Sequence, residues 1–415
     1  MEDRATNTRA TIEGFDPFTT FQSPKHRADP HPLYHRLRTE TPVLFVPEWD
    51  EYVLTRHADC EAVLRDTRFS SNPAHRRLQL PLDEQDVRTQ LSGTNANVLL
   101  FIDPPDHTRI RRLVSKAFTP RRVEEMRAHI QALVDALLDD AQEKGEIDVV
   151  LDLGYQVPVT VICEMLGVPK EDRHLFHEWS AAATRLLDGF IPQDEMMKAL
   201  GGAMSIIAYL GDVIDARRKA PGDDLLSAMI AAEEEGEVLS EEELRSTTLL
   251  LFVAGHETTM NLIGNGMYAL LRHPDQWQRL RDDLDLAPLA VEELLRYDGP
   301  VHVTGRMATE DIEMDGFSVE KGQTVIALLA AANRDPAEFA DPDGLDIGRT
   351  PNHHLTFSHG IHYCLGAALA RVEGQVAIAS LAKRFSRIEQ ITQDVRYRDH
   401  FVLRGLEELR IAVSV

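Results

Sequence analysis

Cysteine is scarce. The sequence has three, Cys60, Cys163 and Cys364, far apart from one another. That excludes a disulfide framework and points to a reducing compartment. Positive charge is in the minority, with 44 Lys and Arg against 68 Asp and Glu, a formal net charge of −24. A chain of that sign is not built for nucleic acid or for anionic membranes, which need a dominant basic surface. Long apolar runs are missing too. The longest, Leu249–Gly255 (LLLFVAG), falls far short of the roughly 20 residues that span a bilayer, so no membrane anchor is expected. The start, Met1–Ala10 (MEDRATNTRA), is polar and lacks the apolar region of a secretory signal. There is no internal repeat, no GxGxxG and no GxxxxGK[ST], which argues against nucleotide binding. What remains is 415 residues, 43% apolar and 27% charged, the balance of a globular enzyme. The expectation is a cytoplasmic, monomeric, acidic enzyme with a surface segment at 1–27 and one domain over 28–415.

The pattern is mainly α with a minor β part. Val43–Val46 and Tyr52–Thr55 flank a turn and predict a β-hairpin. A long irregular loop follows, about 68–105, of the kind that often binds ligands. From Asp106 to about Leu284 the periodicity is helical. The strongest helix starts at Ser240, where Ser240 and Glu243 fit a capping box. No proline follows until Pro274, so this helix is about 50 Å long and its apolar middle predicts a buried central rod. A second helix ends near Asp298. Short strands are predicted at Val301–Thr304, Ile312–Met314, Phe317–Val319 and Thr324–Leu328, then a Pro/Asp-rich meander, a helix from about Cys364 to Arg384, and weak closing strands.

Residues 357–371 read FSHGIHYCLGAALAR. Cys364 sits where a glycine-containing loop becomes a helix, and helix N-terminal amides favour a thiolate. Gly360 would allow a tight turn, and Gly366 the close passage of a flat ligand. A lone cysteine there would be read as a buried, inert thiol. The neighbouring glycines, His362 and Phe357 suggest instead a thiolate that binds a metal.

With Phe357, Gly360, Cys364 and Gly366 at these spacings, the loop resembles that of the cytochrome P-450 family, the haem-thiolate monooxygenases. Ser358 stands where many bacterial members have glycine. The resemblance extends from roughly Ala28 to the C-terminus and implies a single large domain with a long central helix over haem b, with Cys364 as the axial ligand of the iron. It also gives meaning to elements that say little alone. Glu293 and Arg296 share one helix face, which by itself suggests an exposed ion pair of little worth. In the family such a pair, joined by an Arg of the meander, here Arg349, braces the cysteine side. Ala254-Gly255-His256-Glu257-Thr258-Thr259 matches the family's oxygen-activation segment. The Thr258 hydroxyl can bond the Ala254 carbonyl and bend the helix, while Glu257 and Thr258 supply an acid and an alcohol for proton relay. His256-Glu257 opens like the zinc motif HExxH, but position 260 is Met260, so the second histidine is missing.

His107 and Arg111 share a helix face and can both reach an anion. The family uses these positions, with Arg306 and His362, for haem propionates. Arg109, Arg112 and Lys116 lie on the opposite face, a basic exception where the resemblance implies docking of a ferredoxin-type donor served by its reductase. The implied activity is insertion of one oxygen atom from dioxygen into a C–H bond of a lipophilic small molecule. A peroxide-driven peroxygenase and a non-catalytic haem carrier or sensor are the alternatives; neither needs the Glu257–Thr258 pair. Candidate substrate walls are Leu99, Leu100, Val253, Val301, Val303 and Leu403, with Ala254 at the oxygen site and His302 as a polar contact. The segment 176–211, with Gly189, Pro192, Gly201 and Gly202, is a candidate access lid.

Overall fold

The helix that starts at Ser240 organises the molecule. The Ser240 hydroxyl accepts from the Glu243 N–H at 3.2 Å and the Glu243 carboxylate accepts from the Ser240 N–H at 2.8 Å, so the capping box forms and satisfies two otherwise orphaned donors. The helix runs Glu241–Arg272. The computed structural model describes residues 20–21, 23–75, 98–188, 191–234 and 236–415. Most of the expected loop (76–97) and Gly189 therefore lie outside the described residues.

In its second half the central helix is buried all round, from Thr259 to Met267. The segment Val149–Tyr155 and the helix Gln156–Met165 pack on it, as do the helices Ala287–Asp298 and Ala367–Arg384. Each large apolar side chain buried there contributes about 1.5–3 kcal/mol. Gly154 lies so close that a Cβ would come within 3.1 Å of the Met260 carbonyl oxygen. The apolar stretch 249–255 is less enclosed than its composition predicts: Val253 and Gly255 are half-buried and Ala254 is exposed, because this face borders a cavity.

The β part lies to one side. Val43–Val46 and Glu51–Leu54 form the expected hairpin, with Val43 opposite Leu54 and Val46 opposite Glu51. Thr324–Leu328 runs parallel to Glu51–Leu54 and antiparallel to Val303–Ala308, whose other edge takes Phe69–Ser70. Ile312–Met314 and Phe317–Val319 form a second hairpin at the predicted residues. Val301 is not in a strand; it makes one isolated bridge with Leu403, and the strand proper begins at Val303. The closing strand Arg410–Ser414 pairs antiparallel with Arg387–Gln390 on one edge and with Glu146–Asp148 on the other.

The last helix begins at Ala367 behind an N-cap at Gly366, so Cys364 lies in the loop before it rather than in its first turn. Gln193–Lys219 is, among the described residues, one helix long and apolar enough by length and composition to cross a membrane. Its Ala199, Gly202, Ile206 and Leu210 stripe is buried, and it packs on the Phe176–Thr184 helix and on the central helix. Gly202 serves this packing: a Cβ would lie 2.6 Å from the Trp179 carbonyl oxygen.

Candidate active site

The loop 357–366 is held from within and from behind. The Cys364 N–H donates to the Phe357 carbonyl at 2.9 Å. Ser358 and Gly360 turn the chain with φ of +61° and +68°. A Cβ on Gly360 would lie 2.5 Å from the Leu64 carbonyl oxygen. Close approach to Leu64 therefore demands glycine here, and Gly360 does not line the cavity. Ser358 adopts the same left-handed conformation, which costs a non-glycine residue roughly 1–2 kcal/mol, and its buried hydroxyl has no partner. Ser358→Gly is expected to stabilise the protein by about 1 kcal/mol, after allowing for the greater chain entropy of glycine. A higher denaturant midpoint at unchanged m-value would show it.

Behind the loop, the Arg371 guanidinium stacks 4.5 Å from the Phe357 ring centroid. It donates to the Tyr363 hydroxyl at 3.2 Å and to both Glu292 oxygens at 2.6 and 2.9 Å. His354 Nε2 lies 3.2 Å from the same carboxylate. Burial alone would raise the Glu292 carboxyl, but the hydrogen bonds from His354 and Arg371 outweigh it and hold the group at about 2, below its ordinary 4.5. A depressed folded-state value stabilises the fold above the unfolded-state value and loses that contribution as pH falls through the folded one. Glu292→Gln is therefore expected to flatten the stability–pH curve between 4.5 and about 2, as followed by denaturant midpoints on the acid side.

The Cys364 side chain is enclosed by protein except where it meets the cavity. Burial pushes its thiol up, while the Gly366 and Ala367 amides and the charges of Arg111 and Arg371 act in the opposite sense. The helix-start stabilisation expected from the sequence is present, but it opposes a larger desolvation.

Four basic side chains converge beside it. The His107 and His362 rings are 4.4 Å apart, centroid to centroid. Both ring nitrogens of His107 and Nε2 of His362 are buried without a partner. Arg111 donates to the Tyr363 carbonyl at 2.8 Å, and Arg306 to the Gly305 carbonyl at 2.8 Å. Burial, then Arg306, His107 and Arg111, push His362 down to about 3; burial pushes Arg306 down to about 10. Among the described residues no carboxylate pairs with Arg111 or Arg306. Buried cations and unpaired imidazoles are costly unless an anion completes them, so this set suits the two carboxylates of a porphyrin. Gly366 fits the same group: a Cβ there would meet nothing within 4 Å and would project into the cavity.

The cavity has a volume of about 340 Å³. Its lining includes Cys364, Gly366 and Phe357 of the cysteine loop and Ala254, Gly255 and Thr258 of the central helix. The predicted wall residues Leu99, Leu100, Val253, Val301, Val303 and Leu403 all border it. The Thr258 hydroxyl donates to the Ala254 carbonyl at 3.0 Å, as its spacing predicted. Glu257 also reaches the cavity but is gripped from the C-terminal side: Arg398 Nη1 donates to its Oε1 at 2.6 Å. His256 is structural, its Nε2 2.9 Å from the Ser180 hydroxyl and its Nδ1 2.8 Å from the Phe252 carbonyl.

Glu293 and Arg296 are wholly buried rather than exposed. Arg296 bonds both Glu293 oxygens at 2.8 Å and reaches the Asn333, Pro342 and Gly344 carbonyls. Arg349 is the third member, 3.1 Å from Glu293 Oε2. Two expectations need correction. His302 does not border the cavity; its Nδ1 lies 3.1 Å from the Tyr34 hydroxyl. Arg109 is not an open cation, because Glu243 and Asp106 pair with it; Arg112 and Lys116 are exposed. Sequence reasoning missed Arg398, the Glu292–Arg371 brace, and the cavity-lining Leu187 and Val402. It also missed Glu373, a fully buried carboxyl that burial raises well above its usual range.

A sequence model described as Cytochrome P450 matches residues 52–411. The Vitamin D(3) 25-hydroxylase of Pseudonocardia autotrophica is 42% identical over 392 residues, 93% of this chain and 94% of that one. The cytochrome P450 monooxygenase PikC of Streptomyces venezuelae is 44% identical, with 92% of this chain and 91% of that one covered. Among solved structures, P450BioI in complex with an acyl carrier protein ligated to hexadec-9Z-enoic acid superposes with a TM-score of 0.87 at 38% identity, over 94% of this chain and 99% of that one. Myxobacterial CYP267B1 in complex with myristic acid gives 0.86 at 40%, over 96% and 99%. Likeness of this extent, in sequence and in backbone alike, is that of kinship, and the chain belongs to the cytochrome P450 family of haem b monooxygenases.

Proposed function

We propose that this enzyme hydroxylates a neutral, lipophilic small molecule, using dioxygen and electrons from a ferredoxin-type donor with its reductase. The observation that carries the reading is that Cys364 and Thr258 line the same largely apolar cavity, with the basic side chains of His107, Arg111, Arg306 and His362 also in its lining. Haem bound through the Cys364 thiolate would supply the oxygen-activating chemistry. His107, Arg111, Arg306 and His362 would hold its carboxylates. Ala254 and Gly366 leave it room, and Glu293, Arg296 and Arg349 brace the side that carries the cysteine. Thr258 Oγ1 passes protons towards the oxygen site, with Glu257 as the acid behind it. The aliphatic walls position the substrate and exclude water.

The cavity's cations, Arg111 and Arg306, sit with His107 and His362 at the cysteine side. Among the described residues no further Arg or Lys lines the cavity, so none is placed to pair with a substrate carboxylate near Thr258. This supports neutral terpenoid, steroid or polyketide substrates, or a fatty acid carried as an ester. It counts against a peroxygenase that recruits its substrate's own carboxylate through an arginine. The acid–alcohol pair counts against a non-catalytic carrier or sensor. The exposed Arg112 and Lys116, with Arg109, form the donor-docking face. The protein acts as a cytoplasmic monomer with its functional domain over 28–415; of the expected surface segment 1–27, residues 1–19 and 22 lie outside the described residues, and Phe21 is buried. The segment 176–211 serves as access lid. The test is product formation with labelled dioxygen, NADPH and a surrogate ferredoxin system. Label in the product supports the proposal; faster turnover with hydrogen peroxide alone overturns it.

A further inference from the structure

The residue after the cavity-lining Leu187 is Asp188, whose side chain is only 4% exposed. Its Oδ1 accepts two consecutive backbone N–H groups, from Phe401 at 3.0 Å and Val402 at 2.9 Å. Its Oδ2 takes Arg185 Nη1 at 2.6 Å and lies 3.0 Å from His400 Nδ1. Charge-assisted bonds of this kind are roughly twice as strong as neutral ones and fix geometry. The loop so held begins at Arg398, the residue that grips Glu257, and ends at Val402 and Leu403, which line the cavity. No regular strand or helix spans 398–403; its backbone is tied by the Val301–Leu403 bridge, by the His302 N–H to the Val402 carbonyl and the Arg398 N–H to the Gly405 carbonyl, both at 2.9 Å, and at its middle by Asp188.

We propose that Asp188 is a positioning residue for oxygenation: by fixing the loop 398–403 it sets both the Val402–Leu403 wall of the substrate cavity and the Arg398 guanidinium that orients Glu257. This rests on the functional reading above and assigns a device within it. A misplacement of about 1 Å at a distance from the chemistry can cost on the order of 100-fold, and the two ends of this loop touch the two things the reaction needs, substrate fit and proton delivery.

Asp188→Ala, Asp188→Asn, Arg398→Ala and the double variant Asp188→Ala/Arg398→Ala test it in the haem-loaded full chain. Amide exchange at Phe401 and Val402 reports on the loop independently of turnover. Binding of a neutral long-chain alcohol is read from the Soret band, and coupling as product per NADPH. Asp188→Ala is expected to speed exchange at both amides and to weaken alcohol binding about tenfold. Its coupling falls to the level of Arg398→Ala, and the double variant is no worse than Arg398→Ala, since residues acting as one unit are not additive. Arg398→Ala keeps wild-type alcohol binding. Asp188→Asn, which keeps an acceptor for the two amides, retains most of the binding, and decides the matter if the alanine variant does not fold. Wild-type binding and coupling in the variants, with only a lower melting temperature, overturn the proposal, as does an additive loss in the double variant. Failure of the functional reading shows separately, as a wild-type protein that turns nothing over while the exchange and binding results still stand.

Discussion

Replacing Glu293 by alanine is expected to remove about 3–5 kcal/mol of stability, because it leaves a buried charge without its partner. Arg296 is 1% exposed and gives two of its hydrogen bonds to this one carboxylate. Arg349, the Asn352 amide and the Asp346 N–H converge on it too. Native proteins have a margin of roughly 5–15 kcal/mol, so the variant should be expressed poorly and retain little haem. Arg296→Lys should also be costly, since an ammonium cannot reproduce the two parallel bonds of a guanidinium. Denaturant unfolding of the purified variants measures both. A loss below about 1 kcal/mol for Glu293→Ala would mean that the network behaves like an exposed ion pair.

Replacing Thr258 by alanine should leave the fold and the haem intact yet cut product per NADPH on the order of tenfold or more, with reductant still consumed. The hydroxyl lies on the cavity side of the central helix with its proton directed at the Ala254 carbonyl. Its removal takes away the alcohol of the relay and the bond that shapes the helix beside the oxygen site. Thr258→Ser, which keeps both, should recover most of the coupling. Unchanged coupling in the alanine variant would take proton delivery away from this residue.

What could be read from the sequence was local or motif-bound. The Ser240–Glu243 box, the hairpin at Val43–Leu54 and the Thr258–Ala254 bond depend on residues a few positions apart, where spacing fixes geometry. The cysteine loop was legible because left-handed turns and a close approach restrict residue choice, and Ser358 shows the cost of departing from it. What could not be read was long-range. Arg398 reaches Glu257 from 141 positions away, and Glu292 meets Arg371 across 79. Asp188 meets the backbone of Val402 across 214. Nothing in periodicity or charge pattern marks such partners. The same limit misled the reading of Arg109, whose place on a basic helix face gave no sign of Glu243 134 positions on. His302 failed for a related reason: its strand-like setting did not reveal which side faces the cavity, and Tyr34 claims it.

The central claim is that Cys364 binds haem iron as a thiolate. The most direct measurement is the absorption of the reduced protein under carbon monoxide, wild type beside Cys364→Ala. The wild type should show the strongly red-shifted band of a thiolate-bound carbonyl complex, and the variant should lose it. Absence of that band in the wild type, or its persistence without the cysteine, would contradict the account.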